Sequence, residues 1–261
     1  MTNVPTPQAR SVEVALVTGG SRGLGKSMVL SLAKRGIDSI FTYKSRADDA
    51  RAVVAQVEAL GRKAVALQLD VGDSRQFGAF AESVRSELQR VWRRDTIDAL
   101  VNNAGSGVYA PIASATEAQL DAMFNEHMKA PFFLTQKLLP LMADGGRIVN
   151  VSSGLARFSM PGYAPYASMK GAIEVLTRYM AVELGPRGIS VNTLAPGAIE
   201  TDFGGGAVRD NAQLNAMIAG QTALGRVGKP EDIGEALASL LMPESRWING
   251  QRIEVAGGIH L

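Results

Sequence analysis

Short β-rich runs alternate along the chain with longer stretches in which apolar positions recur at helical spacing. The short runs are Val12–Thr18, Ser39–Tyr43, Ala64–Gln68, Ile97–Asn102, Arg147–Ser152, Ile189–Ala195 and Arg252–Val255, and they read as strands. The stretches between them, Gly25–Arg35, Asp48–Leu60, Ser74–Val91, Glu117–Met142, Tyr166–Leu184 and Glu231–Leu241, read as amphipathic helices. Gly36, Gly61, Gly145 and Gly188 stand where helices should stop, and Pro230 ahead of Glu231 and Asp232 marks a helix start with acid in its first turn. The alternation predicts βαβ units, hence an α/β fold with a doubly wound, mostly parallel seven-stranded sheet and helices on both faces.

The 261 residues show no composition break and no repeat at solenoid period, so residues 12–261 read as one domain behind a flexible N-terminal tail, 1–11. That tail is polar, holds Pro5 and Pro7, and lacks the apolar core of a signal peptide. Residues 198–227 break the rhythm. They carry the cluster Gly204-Gly205-Gly206 and a short polar helical stretch after a strand end, where open α/β sheets place ligands, and are expected to form a substrate lid.

Charge and composition exclude several chemistries. With 27 Lys and Arg against 25 Asp and Glu, the net charge of +2 carries no nucleic-acid or membrane-surface footprint. No apolar run is long enough to span a bilayer. The absence of cysteine removes disulfides, thiolate catalysis and cysteine zinc sites, and fits a reducing, cytoplasmic compartment. His127 and His260 are too few for a His-rich metal site, and no metal is expected.

The first strand runs into Thr18-Gly19-Gly20-Ser21-Arg22-Gly23-Leu24-Gly25 and then a helix. Residues without Cβ let the chain bend sharply there and approach a ligand, and the helix N-terminus offers free N–H groups to a pyrophosphate. This is the context of a Rossmann-type dinucleotide site. After the second strand the chain reads Phe41-Thr42-Tyr43-Lys44-Ser45-Arg46, with no carboxylate until Asp48. A carboxylate there would bind the ribose 2′-hydroxyl of NAD. Arg22 with Lys44, Ser45 or Arg46 would instead clamp a 2′-phosphate, so NADP(H) is expected over NAD(H).

Tyr166 and Lys170 are i and i+4 on a predicted helix, hence neighbours on one face. A cation near a phenol favours the phenolate; acid–base work near neutrality needs the phenol lowered by roughly two to three units. Thirteen residues before Tyr166, Ser153 ends a predicted strand, where its hydroxyl can donate to a carbonyl or alkoxide oxygen. Tyr163 competes for the acid–base role, but its i+4 partner is Ala167.

Together these features resemble the short-chain dehydrogenase/reductase family in its single-domain form, over nearly the whole chain. The matching motifs are Thr18-Gly19-x3-Gly23-x-Gly25, Asp70-Val71, Asn102-Asn103-Ala104-Gly105, Ser153, Tyr166-x3-Lys170, Pro196-Gly197-x-Ile199-x-Thr201, Arg226–Asp232 and Gly250-Gln251. The resemblance implies that Asp70 and Val71 bracket the adenine ring and that Asn103, Ala104 and Gly105 line the adenosine ribose. It implies that Pro196, Gly197, Ile199 and Thr201 hold the nicotinamide. Tyr166 is the implied general acid or base, with Lys170 lowering its pKa and binding the nicotinamide ribose and Ser153 orienting the substrate oxygen. It also implies a homotetramer or homodimer built on the Glu117–Met142 and Tyr166–Leu184 helices. One position departs. Where the family has an asparagine that helps hold a water leading to the lysine, this chain has His127, read either as a modified proton relay or as a helix-bend residue.

The expected activity is hydride transfer between NADP(H) and a small carbonyl or alcohol substrate. A 3-oxoacyl thioester reductase or a sugar or polyol dehydrogenase are alternatives on the same fold, and a dinucleotide-binding scaffold without catalysis is a further one.

Overall fold

The computed structural model describes residues 12–261; the tail expected over residues 1–11 lies outside them. Seven strands, β1 (Val14–Val17), β2 (Asp38–Tyr43), β3 (Ala64–Gln68), β4 (Ile97–Asn102), β5 (Met142–Val151), β6 (Ser190–Pro196) and β7 (Arg252–Val255), form one sheet in the order β3-β2-β1-β4-β5-β6-β7. Every pairing is parallel. The order reverses between β1 and β4, the switch point at which doubly wound sheets open a crevice beyond their strand ends.

Nine helices accompany the described strands: α1 (Gly23–Lys34), α2 (Ala47–Ala59), α3 (Phe77–Glu87), α4 (Glu117–Phe124), α5 (Ala130–Leu138), α6 (Ala164–Glu183), α7 (Ala207–Asp210), α8 (Ala212–Gly220) and α9 (Pro230–Leu240). Successive strand residues feed opposite cores, which is why the strands are apolar throughout. Leu16, Ile40, Leu100 and Ile148 join Phe77, Val84, Leu134 and Ile173 on the α3, α5 and α6 side. Ala15, Val17, Phe41 and Val101 join Met28, Leu32, Val53, Ile233 and Leu237 on the α1, α2 and α9 side. Several polar groups buried in the sheet are paired: Asn102 donates to Asn150 (2.8 Å), Asn150 donates to Thr177 (2.9 Å), and the Thr193 and Thr177 hydroxyls are 2.9 Å apart.

The expected helix Glu117–Met142 is not continuous. A π-helical turn, Asn125–Lys129, separates α4 from α5, and a single 3-10 turn, Leu139–Leu141, ends the run. Pro140 has no amide to continue the helix, and Met142 instead opens β5 opposite Ile97. Gly145 is likewise no helix stop. It lies inside β5 with a left-handed φ of 75°, in the stretch where the register to β4 shifts between Ile97 and Ala99. Residues 198–227 hold α7 and α8, entered through Gly204, Gly205 and Gly206, whose φ values of 62°, 75° and 81° explain the glycine cluster. Their base is fixed by a small apolar cluster of Ile218, Val227 and Ile259. No helix of the described residues is long and apolar enough to cross a membrane.

Candidate active site

The turn between β1 and α1 is built for close approach. Gly19 and Gly23 are left-handed, at φ 70° and 53°. A Cβ on Gly25 would lie 2.0 Å from the Gly19 carbonyl oxygen and 2.7 Å from Asn103 Nδ2. Arg22 occupies the N-cap of α1 without a side-chain cap, so the first-turn amides remain available to an anion. Thr42 pins the turn: its hydroxyl and carbonyl accept from the Gly19 and Gly20 amides at 2.9 and 2.8 Å. Ser21 is buried and Leu24 packs toward the α1 core.

Thr18 stitches this turn to the segment after β4. Its hydroxyl accepts from the amides of Asn103 and Ala104, both at 2.9 Å, and donates to Val101 O at 3.3 Å. The Asn103 side chain donates back to Thr18 O at 2.8 Å, so its amide braces the turn. At the end of β6, Pro196 is followed by Gly197, where a Cβ would come within 2.9 Å of Ala256. Ile199 pairs with Gly228, and Thr201 is buried beside Gly23. The sequence-predicted pyrophosphate, ribose and nicotinamide residues therefore converge beyond the strand ends, at the switch point.

The cations expected at a 2′-phosphate are present and largely solvent-exposed. Arg22 faces Asp202 at 3.5 Å, Lys44 pairs with Asp70 at 2.9 Å, and Arg46 with Asp49 at 3.5 Å, while Ser45 is exposed. The Asp70 hydrogen bond raises the Lys44 ammonium above its ordinary pKa, and the same carboxylate accepts from the Gly72 amide at 2.9 Å. Val71 packs against the core on the α3 side, and Tyr43 against the opposite one.

β5 and α6 bring Ser153, Tyr166 and Lys170 together. Ser153 follows β5, accepts from the Leu155 amide at 3.2 Å, and its side chain hydrogen-bonds the Tyr166 phenol. Lys170 is buried beneath, its ammonium 5.5 Å from the Tyr166 ring centroid and donating to Val151 O at 2.7 Å. Burial pushes Lys170 down to about 7, against the pull of the Glu126 carboxylate. Burial pushes the Tyr166 phenol up to about 12, with the Ser153 hydrogen bond opposing it. The i, i+4 spacing predicts a phenol lowered by Lys170; in the structure desolvation dominates and the opposing pull comes from Ser153. Tyr163 meets Tyr109 edge to face at 5.7 Å.

His127 lies within the π-helical turn, an irregularity often found at functional sites. Its ring stands edge-on to Tyr166 at 5.2 Å and covers Gly105, where a Cβ would meet the ring at 2.2 Å. Nε2 bonds to Ser106 O at 2.7 Å, and a carbonyl can only accept, so the ring proton sits on Nε2. Nδ1 is a bare acceptor with no hydrogen-bond partner among the described residues. Burial first, then the Lys170 charge, push His127 down to about 3, so the ring is neutral at working pH.

Two contributors escape sequence reasoning. Glu126 accepts from the Ser106 amide and hydroxyl at 2.8 and 2.7 Å, and its sequence neighbourhood does not separate it from a surface carboxylate. Phe203 lies 5.5 Å from Tyr166, and a Cβ on Gly107 would strike its ring at 2.4 Å. Its position beside the glycine cluster was the only signal.

The arrangement offers a phenol donor, a hydroxyl and a buried amine beside a glycine-rich turn. A family model described as Enoyl-(Acyl carrier protein) reductase matches residues 19–260. The hydroxynaphthalene reductase-like protein Arp2 of Metarhizium brunneum is 37% identical, over 97% of both chains. A short-chain dehydrogenase/reductase of Serratia marcescens has a solved structure with TM-score 0.86 at 34% identity, covering 96% of this chain and 99% of that one. The landomycin C-6 ketoreductase LanV, solved with NADP and rabelomycin bound, gives TM-score 0.86 at 33% identity, covering 95% and 96%.

Proposed function

Because the chain belongs to the short-chain dehydrogenase/reductase family, we propose that Ser153, Tyr166 and Lys170 reduce a ring-bearing ketone with NADPH as donor. The chain is an oxidoreductase that moves a hydride between NADP(H) and a carbonyl or alcohol carbon. The dinucleotide, when bound, supplies the hydride; the side chains supply position and the proton. The observation that carries the reading is the Ser153–Tyr166 hydrogen bond above a buried Lys170, next to a turn that a single Cβ at Gly25 would close.

Ser153 holds the substrate oxygen against the phenol. Tyr166, held up at about 12, keeps its proton at neutral pH and gives it to the developing alkoxide, which is the stronger base. Lys170 lies buried beneath the phenol and, when protonated, would present its ammonium to the ribose of the cofactor. The absence of a carboxylate between Thr42 and Arg46, with Arg22, Lys44, Ser45 and Arg46 at hand, supports NADPH over NADH; a 2′-phosphate would replace Asp202 and Asp70 as the partner of Arg22 and Lys44. Residues 198–227 act as the substrate lid, and Asp70, Val71, Asn103, Ala104 and Gly105 form the adenosine side.

The Phe203 ring, 5.5 Å from that of Tyr166, gives the site an aromatic wall from the proposed lid, which supports a flat, ring-bearing ketone. LanV, with its bound rabelomycin, fits that reading. A 3-oxoacyl thioester is the second reading, favoured by the description of the matching family model. Turnover of NADPH on a panel of bicyclic aromatic ketones and acyl thioesters separates them: higher kcat/KM on the ring ketones supports the first reading, and activity on thioesters alone overturns it. The exposed apolar residues Phe124, Phe132, Phe133, Val175, Tyr179 and Val182 on α4, α5 and α6 support a homodimer or homotetramer, in a cytoplasmic enzyme.

A further inference from the structure

Four charged side chains alternate in sign from the catalytic serine to the base of the lid segment. Glu174, one turn beyond Lys170 on α6, accepts from Arg252 Nε at 2.7 Å. Arg252 Nη1 donates to Glu254 at 2.9 Å. Glu254 in turn receives Arg157 through both carboxylate oxygens, at 2.8 and 3.1 Å. All four are partly shielded, with side-chain exposures of 15%, 22%, 25% and 36%.

Each end of this chain grips functional backbone. At one end Arg252 Nη2 donates to the Ser153 carbonyl at 3.3 Å. Glu174 also accepts from the buried Ser152 hydroxyl at 2.7 Å, and that hydroxyl lies 3.1 Å from the Lys170 carbonyl. At the other end Arg157 donates to Ile259 O at 2.7 Å and His260 O at 2.9 Å, and the His260 ring meets Phe158 at 4.5 Å. The C-terminal segment so held is tied to the base of residues 198–227. The Leu224 and Ala223 amides donate to Gly257 O and Gly258 O at 3.0 and 3.2 Å, and the His260 amide to Gln221 O at 3.3 Å.

We propose that this chain is a positioning device with two separable ends, a proposal that rests on the reading of Ser153 as catalytic. Arg252 sets the Ser153 hydroxyl, and with it the proton-transfer geometry. Arg157 sets the C-terminal strap that fixes the base of the lid, and with it the fit of the ketone. Arg252 engages three acceptors on α6, on β7 and after β5. A planar guanidinium has the donors for that fork; an ammonium on a flexible stem does not hold all three in one plane. Removing one member leaves its shielded partners unpaired, so the remaining groups rearrange.

The test uses the full-length enzyme with NADPH and an aromatic ketone that it turns over. Arg252→Gln is expected to lower kcat roughly tenfold to a hundredfold and to enlarge the solvent isotope effect on kcat, with NADPH affinity within about twofold. Arg252→Lys should recover only part of the loss. Arg157→Gln is expected to raise KM for the ketone roughly fivefold or more while kcat and the isotope effect stay within about twofold. Should Arg252→Gln fail to fold, Glu174→Gln and Glu254→Gln repeat the test one link to either side, the first lowering kcat and the second raising KM. The proposal is overturned if the folded Arg252→Gln enzyme keeps kcat, or if kcat and KM move together in every variant in step with thermal stability. Ser153→Ala, run in parallel, separates the two levels. An inactive Ser153→Ala beside a fully active Arg252→Gln removes only the positioning claim, and an active Ser153→Ala removes the reading beneath it.

Discussion

Acid should weaken this fold through one imidazole. His127 is buried with Nε2 committed to Ser106 O and Nδ1 unpartnered, and its pKa falls from an ordinary 6.5 to about 3. The unfolded chain therefore binds a proton between these values that the folded chain refuses, and stability rises with pH across that window. The contribution is intact above about 6.5 and is lost as pH falls toward 3. At one unit per 1.36 kcal/mol, a change from pH 7.5 to 5.0 should remove about 2 kcal/mol through this residue alone. His127→Asn keeps a short polar side chain and has nothing to titrate. Lys170, lowered from 10.5 to about 7, changes stability between these values, almost wholly above the acid window, and it is common to both proteins. Urea unfolding of both proteins at the two pH values and one protein concentration reads the difference. Wild type should lose about 2 kcal/mol more than His127→Asn. Equal losses would refute a buried neutral imidazole and return His127 to a solvated helix-bend position.

Two substitutions probe the cofactor side. Gly25→Ala places a Cβ 2.0 Å from the Gly19 carbonyl, so the turn must open; dinucleotide affinity, read by fluorescence titration, should fall by at least about a hundredfold, and the thermal midpoint should drop. Ser45→Asp installs the carboxylate missing after β2, and NADPH affinity should fall about tenfold or more while NADH affinity holds or improves; an unchanged ratio contradicts the 2′-phosphate assignment.

The sequence showed most of what local pattern determines. Each strand feeds apolar residues to two cores, so all seven appeared as short β-rich runs, six within two residues of their observed ends and β5 starting five residues earlier than expected. The Gly19–Gly25 turn and the Tyr166–Lys170 spacing were legible because each depends on neighbours a few residues apart. What stayed hidden depends on tertiary surroundings. The π-helical turn at His127 has no periodicity signature that separates it from a continuous helix, and Met142 joins the sheet through its pairing with Ile97. The direction of the Tyr166 shift follows from burial, which spacing does not reveal. The Glu174–Arg252–Glu254–Arg157 chain joins residues nearly a hundred positions apart, and nothing local announces it.

Tyr166 is the group that delivers the proton in the proposed reduction. Loss of NADPH absorbance with an aromatic ketone, compared between wild type and Tyr166→Phe with cofactor affinity measured in parallel, tests this most directly. The phenylalanine keeps the ring that packs against His127 and Phe203 and removes only the hydroxyl. Turnover should fall about a thousandfold while NADPH binds within a few-fold of wild type. Wild-type turnover in Tyr166→Phe would contradict the mechanism outright.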